Sequence, residues 1–264
     1  MGVVNVTPDS FSDGGAFLDP VRAIEHGLSL VEQGAAILDI GGESTRPGAD
    51  PVDDDIELAR VLPVVKGLSG QTAAAISIDT RKPRVARAAI DAGASIWNDV
   101  SALTYDDASL DIAASLSCRI VLMHAQGDPK TMQNNPYYRD VVEDVFAFLE
   151  GRIRICVERG VDRARLIADP GVGFGKTVEH NLALLARLER FQQLGVPTLL
   201  GASRKRFISA LDREAGATGR LGGSIAAALA GAARGASIIR VHDVAATRQA
   251  LAVALAIDSA ASGR

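Results

Sequence analysis

Eight short apolar runs, separated by stretches of helical period, constrain what this chain can fold into more than any other feature. The runs occupy residues 2–6, 36–40, 75–79, 95–98, 119–124, 166–169, 197–201 and 237–241. Each is rich in β-branched or aliphatic residues, and none alternates cleanly with polar ones, as expected of parallel strands covered on both faces. Helical periodicity spans residues 21–32, 54–68, 83–92, 108–115, 140–159, 178–194, 204–210 with 222–233, and 245–260. Gly34, Gly70, Gly93, Gly160, Gly195 and Gly235 stand where those helices should end. Asp53 and Thr177 suit N-caps, and Pro83 suits a first helical turn. Eight strand–helix units in 264 residues predict an α/β fold of the (β/α)8, or TIM, barrel type, as one domain over residues 1–264. A doubly wound open sheet is the rival, but Gly41-Gly42-Glu43 lacks the GxGxxG fingerprint of a dinucleotide fold.

Composition agrees with a packed globule. With 47% hydrophobic and 23% charged residues, the chain is neither disordered nor collagen-like, and two cysteines do not make a disulfide scaffold. No apolar run reaches the roughly 18–20 residues of a membrane span, and no charged-then-apolar leader precedes the first strand. Cys118 and Cys156 form no CxxC pair and read as reduced thiols of a cytoplasmic protein. Charge is unevenly spread. Residues 1–200 carry 19 Lys and Arg against 28 Asp and Glu, whereas residues 201–264 carry 9 against 4. An acidic whole with a basic last quarter does not fit a nucleic-acid binder. It fits a local site for a small anion, although charge alone fits ordinary solvated helix faces equally well.

Barrel chemistry gathers at the C-terminal ends of the strands. The residues there are Asn5, Asp39, Asp79, Asn98, His124, Asp169, Ser203 and the Arg240/His242 pair. A lone Asp after a strand more often caps the next helix. Polar ends on nearly every strand point instead to one shared mouth. Asp79, Asn98 and Asp169 make an acid–amide–acid set suited to a flat heterocycle with adjacent N–H and NH2 donors, such as a pterin or guanine. A hard metal ion is the other reading, but it would call for several more oxygens. Ser203-Arg204-Lys205-Arg206 follows the seventh strand and should open a helix, where free N–H groups favour anions. Arg240 and His242 flank Val241 on the eighth strand, so both sit at the end where barrels commonly bind phosphate. The bland alternatives are a cationic helix start countering Asp212 and Glu214, and a His242 satisfied inside the core. The loops 5–15 and 41–48 combine glycines with polar groups and are lid candidates.

These loops carry a specific resemblance. Asn5-Val6-Thr7-Pro8-Asp9-Ser10-Phe11-Ser12-Asp13-Gly14-Gly15 and Asp39-Ile40-Gly41-Gly42-Glu43-Ser44-Thr45-Arg46-Pro47-Gly48 resemble the two signature segments of the dihydropteroate synthases. Further matches follow in order: Ser77-Ile78-Asp79-Thr80, Asn98-Asp99, Leu122-Met123-His124, Asp169-Pro170-Gly171 with Gly173-Phe174-Gly175-Lys176, Ser203-Arg204-Lys205, and Arg240-Val241-His242-Asp243. The resemblance runs along essentially the whole chain. It implies a (β/α)8 barrel that condenses 6-hydroxymethyl-7,8-dihydropterin diphosphate with 4-aminobenzoate, releasing diphosphate and 7,8-dihydropteroate, in folate biosynthesis. Carried over residue by residue, Asp79, Asn98, Asp169 and Lys205 match the pterin contacts, with Asp79 and Lys205 at the reacting centre. Thr45, Arg240, Val241 and His242 match the contacts to the diphosphate-bearing substrate. Asn5 matches a magnesium (Mg2+) ligand, and Asp13 approaches the metal when the first loop closes. Phe11, Arg46, Pro47 and Phe174 match the aminobenzoate pocket.

The resemblance also implies a sulfonamide target and a homodimer formed through the late helices, whose small residues at 224–231 and 245–256 allow close packing. Two departures stand out. The usual segment before the first strand is lacking, which bears on stability more than on chemistry. Arg206 occupies a position where some members carry a Ser that contacts the aminobenzoate carboxylate. Two rivals remain: a pterin-binding methyltetrahydrofolate methyltransferase domain, and a catalytically silent pterin-binding paralogue. The first has no need of a diphosphate site. Trp97 and Met123 are expected to fill the barrel, and His26 and His180 to lie on helix surfaces without a role.

Overall fold

A computed structural model of the chain describes residues 1–7, 19–44, 49–127, 132, 135–212 and 216–261. Its strands are β1 (Gly2–Asn5), β2 (Ile37–Gly41), β3 (Ala75–Asp79), β4 (Ile96–Asp99), β5 (Arg119–Met123), β6 (Leu166–Asp169), β7 (Leu199–Leu200) and β8 (Ile238–Ile239). Strands β1 to β6 pair in sequence order and in parallel, and β7 pairs with β8. Two single bridges join the free edges, Ala168 to Thr198 and Gly2 to Val241. The Val3 amide donates to the Val241 carbonyl at 3.1 Å, and the Ala168 amide to the Pro197 carbonyl at 2.9 Å. The ring therefore closes, which an open doubly wound sheet cannot do. The last two strands are shorter than the apolar runs predict.

Between the strands lie α1 (Pro20–Glu32), α2 (Asp54–Ser69), α3 (Pro83–Asp91), α4 (Ser109–Ser115), α5 (Val141–Glu158), α6 (Val178–Ala186), α7 (Arg206–Leu211), α8 (Leu221–Ala233) and α9 (Val244–Ala261). The helix expected over 178–194 is broken after Ala186 and continues as a 3-10 stretch, Leu188–Leu194. The buried side chains there are Leu188, Phe191 and Leu194, and their spacing of three matches the three-residue turn of a 3-10 helix. Thr177 caps α6 reciprocally with His180, so His180 does have a structural role. Asp53 precedes α2 without a side-chain capping bond, and Gly70 closes it with φ −87°, not in the left-handed form expected. Gly34, Gly93, Gly160, Gly195 and Gly235 do take positive φ.

Strand alternation separates two cores. Ile96, Val121, Ile167 and Leu199, with Ile37, Ala75 and Ile238 against them, pack together as a plug inside the ring. The intervening residues, among them Leu38, Ile40, Ile78, Trp97, Ile120 and Leu122, join the larger core shared with the helices. Trp97 thus belongs to the outer layer instead of filling the barrel, and its Nε1 donates to the Thr80 carbonyl at 2.8 Å. Period two then places the functional residues. Two positions beyond Ile37, Ala75, Ile96, Ile167 and Ile238 come Asp39, Ser77, Asn98, Asp169 and Arg240, on the same inner face and nearer the C-terminal mouth. Asp79 follows Ser77 by the same step.

Helix α9 departs from one expectation. Its 18 residues have a mean hydropathy of 1.2, enough by length and composition for a membrane span, although Arg248 and Asp258 interrupt it. It packs beside α8, with Val244 and Thr247 buried and Val253, Leu255 and Ile257 exposed.

Candidate active site

At the mouth of the barrel, three strand ends are tied by one guanidinium. Arg240 Nε donates to Asp39 Oδ2 at 2.5 Å, and its terminal nitrogen donates to Asp79 Oδ2 at 2.8 Å. Against the effect of burial, Asp39 and Asp79 hold Arg240 charged, above its ordinary value. The Asn98 amide nitrogen donates to both oxygens of Asp39, at 3.3 and 3.2 Å. The second oxygen of Asp79, Oδ1, is buried without a hydrogen-bond partner. Burial, reinforced by the neighbouring Asp39 charge, pushes the Asp79 carboxyl up to about 7, with Arg240 pulling against it. An orphan buried acceptor is costly, and a ligand N–H removes that cost.

Asp169 faces the same space. Its Oδ1 accepts from the Gly171 amide at 2.7 Å, and burial raises its carboxyl while Lys205 opposes the shift. The Lys205 ammonium donates to the Val172 carbonyl and lies 4.3 Å from the centre of the Phe174 ring. Burial pulls that ammonium down to about 8, with Asp169 pulling the other way. The chain leaves room for this side chain only because residue 173 is glycine. At φ +87° a Cβ there would stand 2.6 Å from the Lys205 Cδ.

The basic cluster divides. Lys205 enters the site, whereas Arg204 pairs with Asp243 at 2.6 Å and Arg206 is exposed. His242 lies beside Ser203, with Nδ1 3.1 Å from its hydroxyl and the His242 amide donating to it at 3.2 Å. Val241 puts its side chain in the outer core and its carbonyl into the closing bond to Val3. Asn5 ends β1, half-buried.

Not every polar strand end converges. Met123 is the inner-face residue of β5, and His124 turns to the helix side, edge-on to Phe148 at 4.9 Å. Its Nδ1 lies 3.0 Å from the buried Lys176 Nζ, which also donates to the His124 and Phe174 carbonyls at 3.3 and 2.9 Å. Burial, with Lys176 alongside, holds the His124 imidazole down at about 3; burial and the Lys205 charge hold Lys176 at about 7. These two residues brace the loop after β6 and are not mouth groups. Beside the mouth opens a cavity of about 380 Å3, lined by Arg81, Val100, Tyr105, Met132, Phe148 and Phe174 among others. Of the residues the sequence singled out, Phe11, Asp13, Thr45, Arg46 and Pro47 lie outside the described residues.

Sequence reasoning passed over the neck of the loop that follows β2. Glu43 accepts from Arg81 at 3.0 Å, Lys82 at 2.8 Å and the Val52 amide at 3.0 Å, while Lys82 also donates to Glu57 at 2.6 Å and to the Val52 carbonyl at 2.6 Å. One buried carboxylate thus bridges residues 43 and 52, on either side of the loop. The acidic spacing at Asp53, Asp54, Asp55 and Glu57 gave no hint that Glu57 alone turns inward.

The closed barrel, its acceptor-rich mouth and its half-buried lysine and arginine define an enzyme of the class that holds a nitrogen heterocycle bearing an anionic group. The sequence pattern of the pterin binding enzymes matches residues 1–242. The dihydropteroate synthase of Haemophilus influenzae is 47% identical over 254 residues, 96% of this chain and 91% of that protein. The Xanthomonas albilineans dihydropteroate synthase, solved with 4-aminobenzoic acid, superposes with a TM-score of 0.92 at 51% identity, covering 98% of this chain and 92% of the other. The Yersinia pestis enzyme, solved in a sulfonamide drug complex, gives 0.93 at 42% identity, with coverages of 98% and 93%. The chain belongs to the pterin-binding enzymes and, among them, to the dihydropteroate synthase family.

Proposed function

We infer that the chain is a transferase that joins 6-hydroxymethyl-7,8-dihydropterin diphosphate to 4-aminobenzoate, giving 7,8-dihydropteroate and diphosphate in folate biosynthesis. The observation that carries this reading is the buried, unpartnered Asp79 Oδ1 beside Asn98, Asp169 and Lys205. The three acceptor-bearing side chains match the N–H and NH2 groups of the pterin, and Lys205 supplies a donor for an acceptor on the ring. In the reaction the bond from the exocyclic methylene to the diphosphate oxygen breaks, its electron pair leaving with diphosphate. The arylamine nitrogen then bonds to that carbon and loses a proton. The electron-rich dihydropterin carries the positive charge that develops, and the Asp79 carboxylate stabilises it in a water-poor site. The neutral arylamine needs little general-base help, so the work falls to charge placement and orientation.

Arg240 and His242 neutralise the departing diphosphate, with Val241 between them. Thr45 joins them, and Phe11, Arg46, Pro47 and Phe174 enclose the arylamine, as the family resemblance implies. Among the described residues no group of three or more His, Cys, Asp or Glu could hold a metal. As the family resemblance implies, Asn5 and Asp13 would hold Mg2+ beside the diphosphate, both offering the oxygen donors that a hard cation takes. When bound it would supply charge neutralisation on the leaving group. The chain acts as one barrel domain over residues 1–264. Its buried, unpaired Cys118 and Cys156 support a reducing, cytoplasmic setting. The exposed apolar residues of α9 support a homodimer.

The test is diphosphate release from purified protein given the pterin diphosphate and Mg2+, with and without 4-aminobenzoate. Release that depends on the arylamine, with dihydropteroate formed and a sulfonamide competing against 4-aminobenzoate, is the expected result. Tight pterin binding without turnover would overturn it.

A further inference from the structure

Asp39 lies in the centre of the mouth, yet neither the heterocycle set nor the phosphate set includes it. Its side chain is fully buried. It sits on the inner face of β2, one strand from Asp79 on β3 and two from Asn98 on β4. Among the described residues, every hydrogen bond to its carboxylate comes from a residue assigned to substrate: Asn98 Nδ2 at 3.3 and 3.2 Å, and Arg240 Nε at 2.5 Å. An ionised carboxylate only accepts hydrogen bonds, so the atom of Asn98 turned toward it must be the NH2 group. The amide is thereby fixed with Oδ1 left for a ligand. The same carboxylate draws the Arg240 guanidinium across the barrel from β8, where its far nitrogen reaches Asp79.

We propose that Asp39 is a positioning residue that sets the Asn98 amide as an acceptor toward the heterocycle and holds Arg240 over the mouth. The proposal rests on the pterin reading of this site. With the amide so oriented, Asn98 Oδ1, Asp79 Oδ1 and the Asp169 carboxylate present acceptors only, a pattern that selects a heterocycle edge made of N–H and NH2 donors. A freely turning amide would accept an edge with a carbonyl in that place equally well. Asp39 thus enters specificity without touching substrate. Its charge also adds to the burial that holds the Asp79 carboxyl up.

The experiment compares the unaltered chain with Asp39→Asn and Asp39→Glu, measuring kcat and both KM values. Turnover by the unaltered chain comes first, and its absence would indict the pterin reading and not Asp39. Given turnover, Asp39→Asn should raise KM for the pterin diphosphate about 10- to 100-fold, the range for losing hydrogen bonds to a charged group. KM for 4-aminobenzoate should stay within about twofold, and the acid limb of the pH profile should move to lower pH as the Asp79 carboxyl loses its charged neighbour. Asp39→Glu should not rescue. In a double-mutant cycle, Asn98→Ala should add little once Asp39 is altered. Equal changes in both KM values, or strict additivity with Asn98→Ala, would reduce Asp39 to a structural role and overturn the proposal. Should Asp39→Asn fail to fold, hydrogen exchange of the Asn98 side-chain NH2 in the unaltered, ligand-free protein decides. Slow exchange is expected, and exchange at the rate of an exposed amide would overturn it.

Discussion

Asp79 and Lys205 carry opposite shifts for one reason, the loss of water around a charge. Burial moves the carboxyl up to about 7 and the ammonium down to about 8. The competent pair, carboxylate with ammonium, is therefore most populated between those values. The kcat/KM for the pterin diphosphate should rise as pH passes about 7 and fall beyond about 8. A flat profile from pH 6 to 9 would remove both residues from the reacting centre. Stability should move the other way. With a folded value of about 7 against an ordinary 3.8, Asp79 binds its proton more tightly in the native state, so its contribution to stability worsens as pH rises from about 4 to 7. Asp79→Asn keeps an oxygen for Arg240 and sheds the buried charge. It should raise Tm at pH 8, at roughly 2–4 °C per kcal/mol, with the gain fading toward pH 4, while turnover drops by orders of magnitude. That Asp79, Asn98 and Asp169 share the mouth was legible because polar ends recur on nearly every strand, whereas Lys205 stood out only as one member of the basic run after the seventh strand. Asp39 was visible in the same way, but its role depends on which side-chain atoms meet across the ring, and that distance is not written in a one-dimensional pattern.

At the scale of elements, strand and helix positions follow from apolar runs and period, and the failures occur where one period imitates another. Leu188, Phe191 and Leu194 satisfy an α-helical stripe and a 3-10 stripe alike, and the packing decides for the second. The neck after β2 shows a further limit. Lys82, Glu43 and Glu57 come from three separate segments, and the sequence offers no sign that they meet in one buried cluster, with side-chain exposures of 4%, 6% and 1%. Lys82→Met would leave both carboxylates without their ammonium, and Glu57, raised already by burial, would suffer most. The expected loss is about 3–5 kcal/mol in urea unfolding, and adding Glu57→Gln should restore part of it. A loss below about 1 kcal/mol would show that solvent reaches the cluster.

For the whole molecule, closure of the ring was legible from the count of eight units, and a contact through the late helices was expected, but not which of their residues stay exposed. The last helix, expected from its small residues to pack closely against a neighbour, leaves Val253, Leu255 and Ile257 55%, 65% and 62% exposed. Val253 and Ile257 lie one turn apart and so share a strip. Exposed apolar strips of this kind mark contact with a partner or a membrane, and Arg248 and Asp258 within the helix count against lipid burial. The proposed homodimer would cover this strip, since an isologous contact sets the same strip against itself. Sedimentation at micromolar concentration should give twice the chain mass. Val253→Glu with Ile257→Glu should give a monomer with unchanged circular dichroism, because neither side chain is in the core. An unaltered chain that sediments as a monomer would remove the dimer, and co-sedimentation with anionic lipid vesicles that the double variant loses would reassign the strip to a membrane surface.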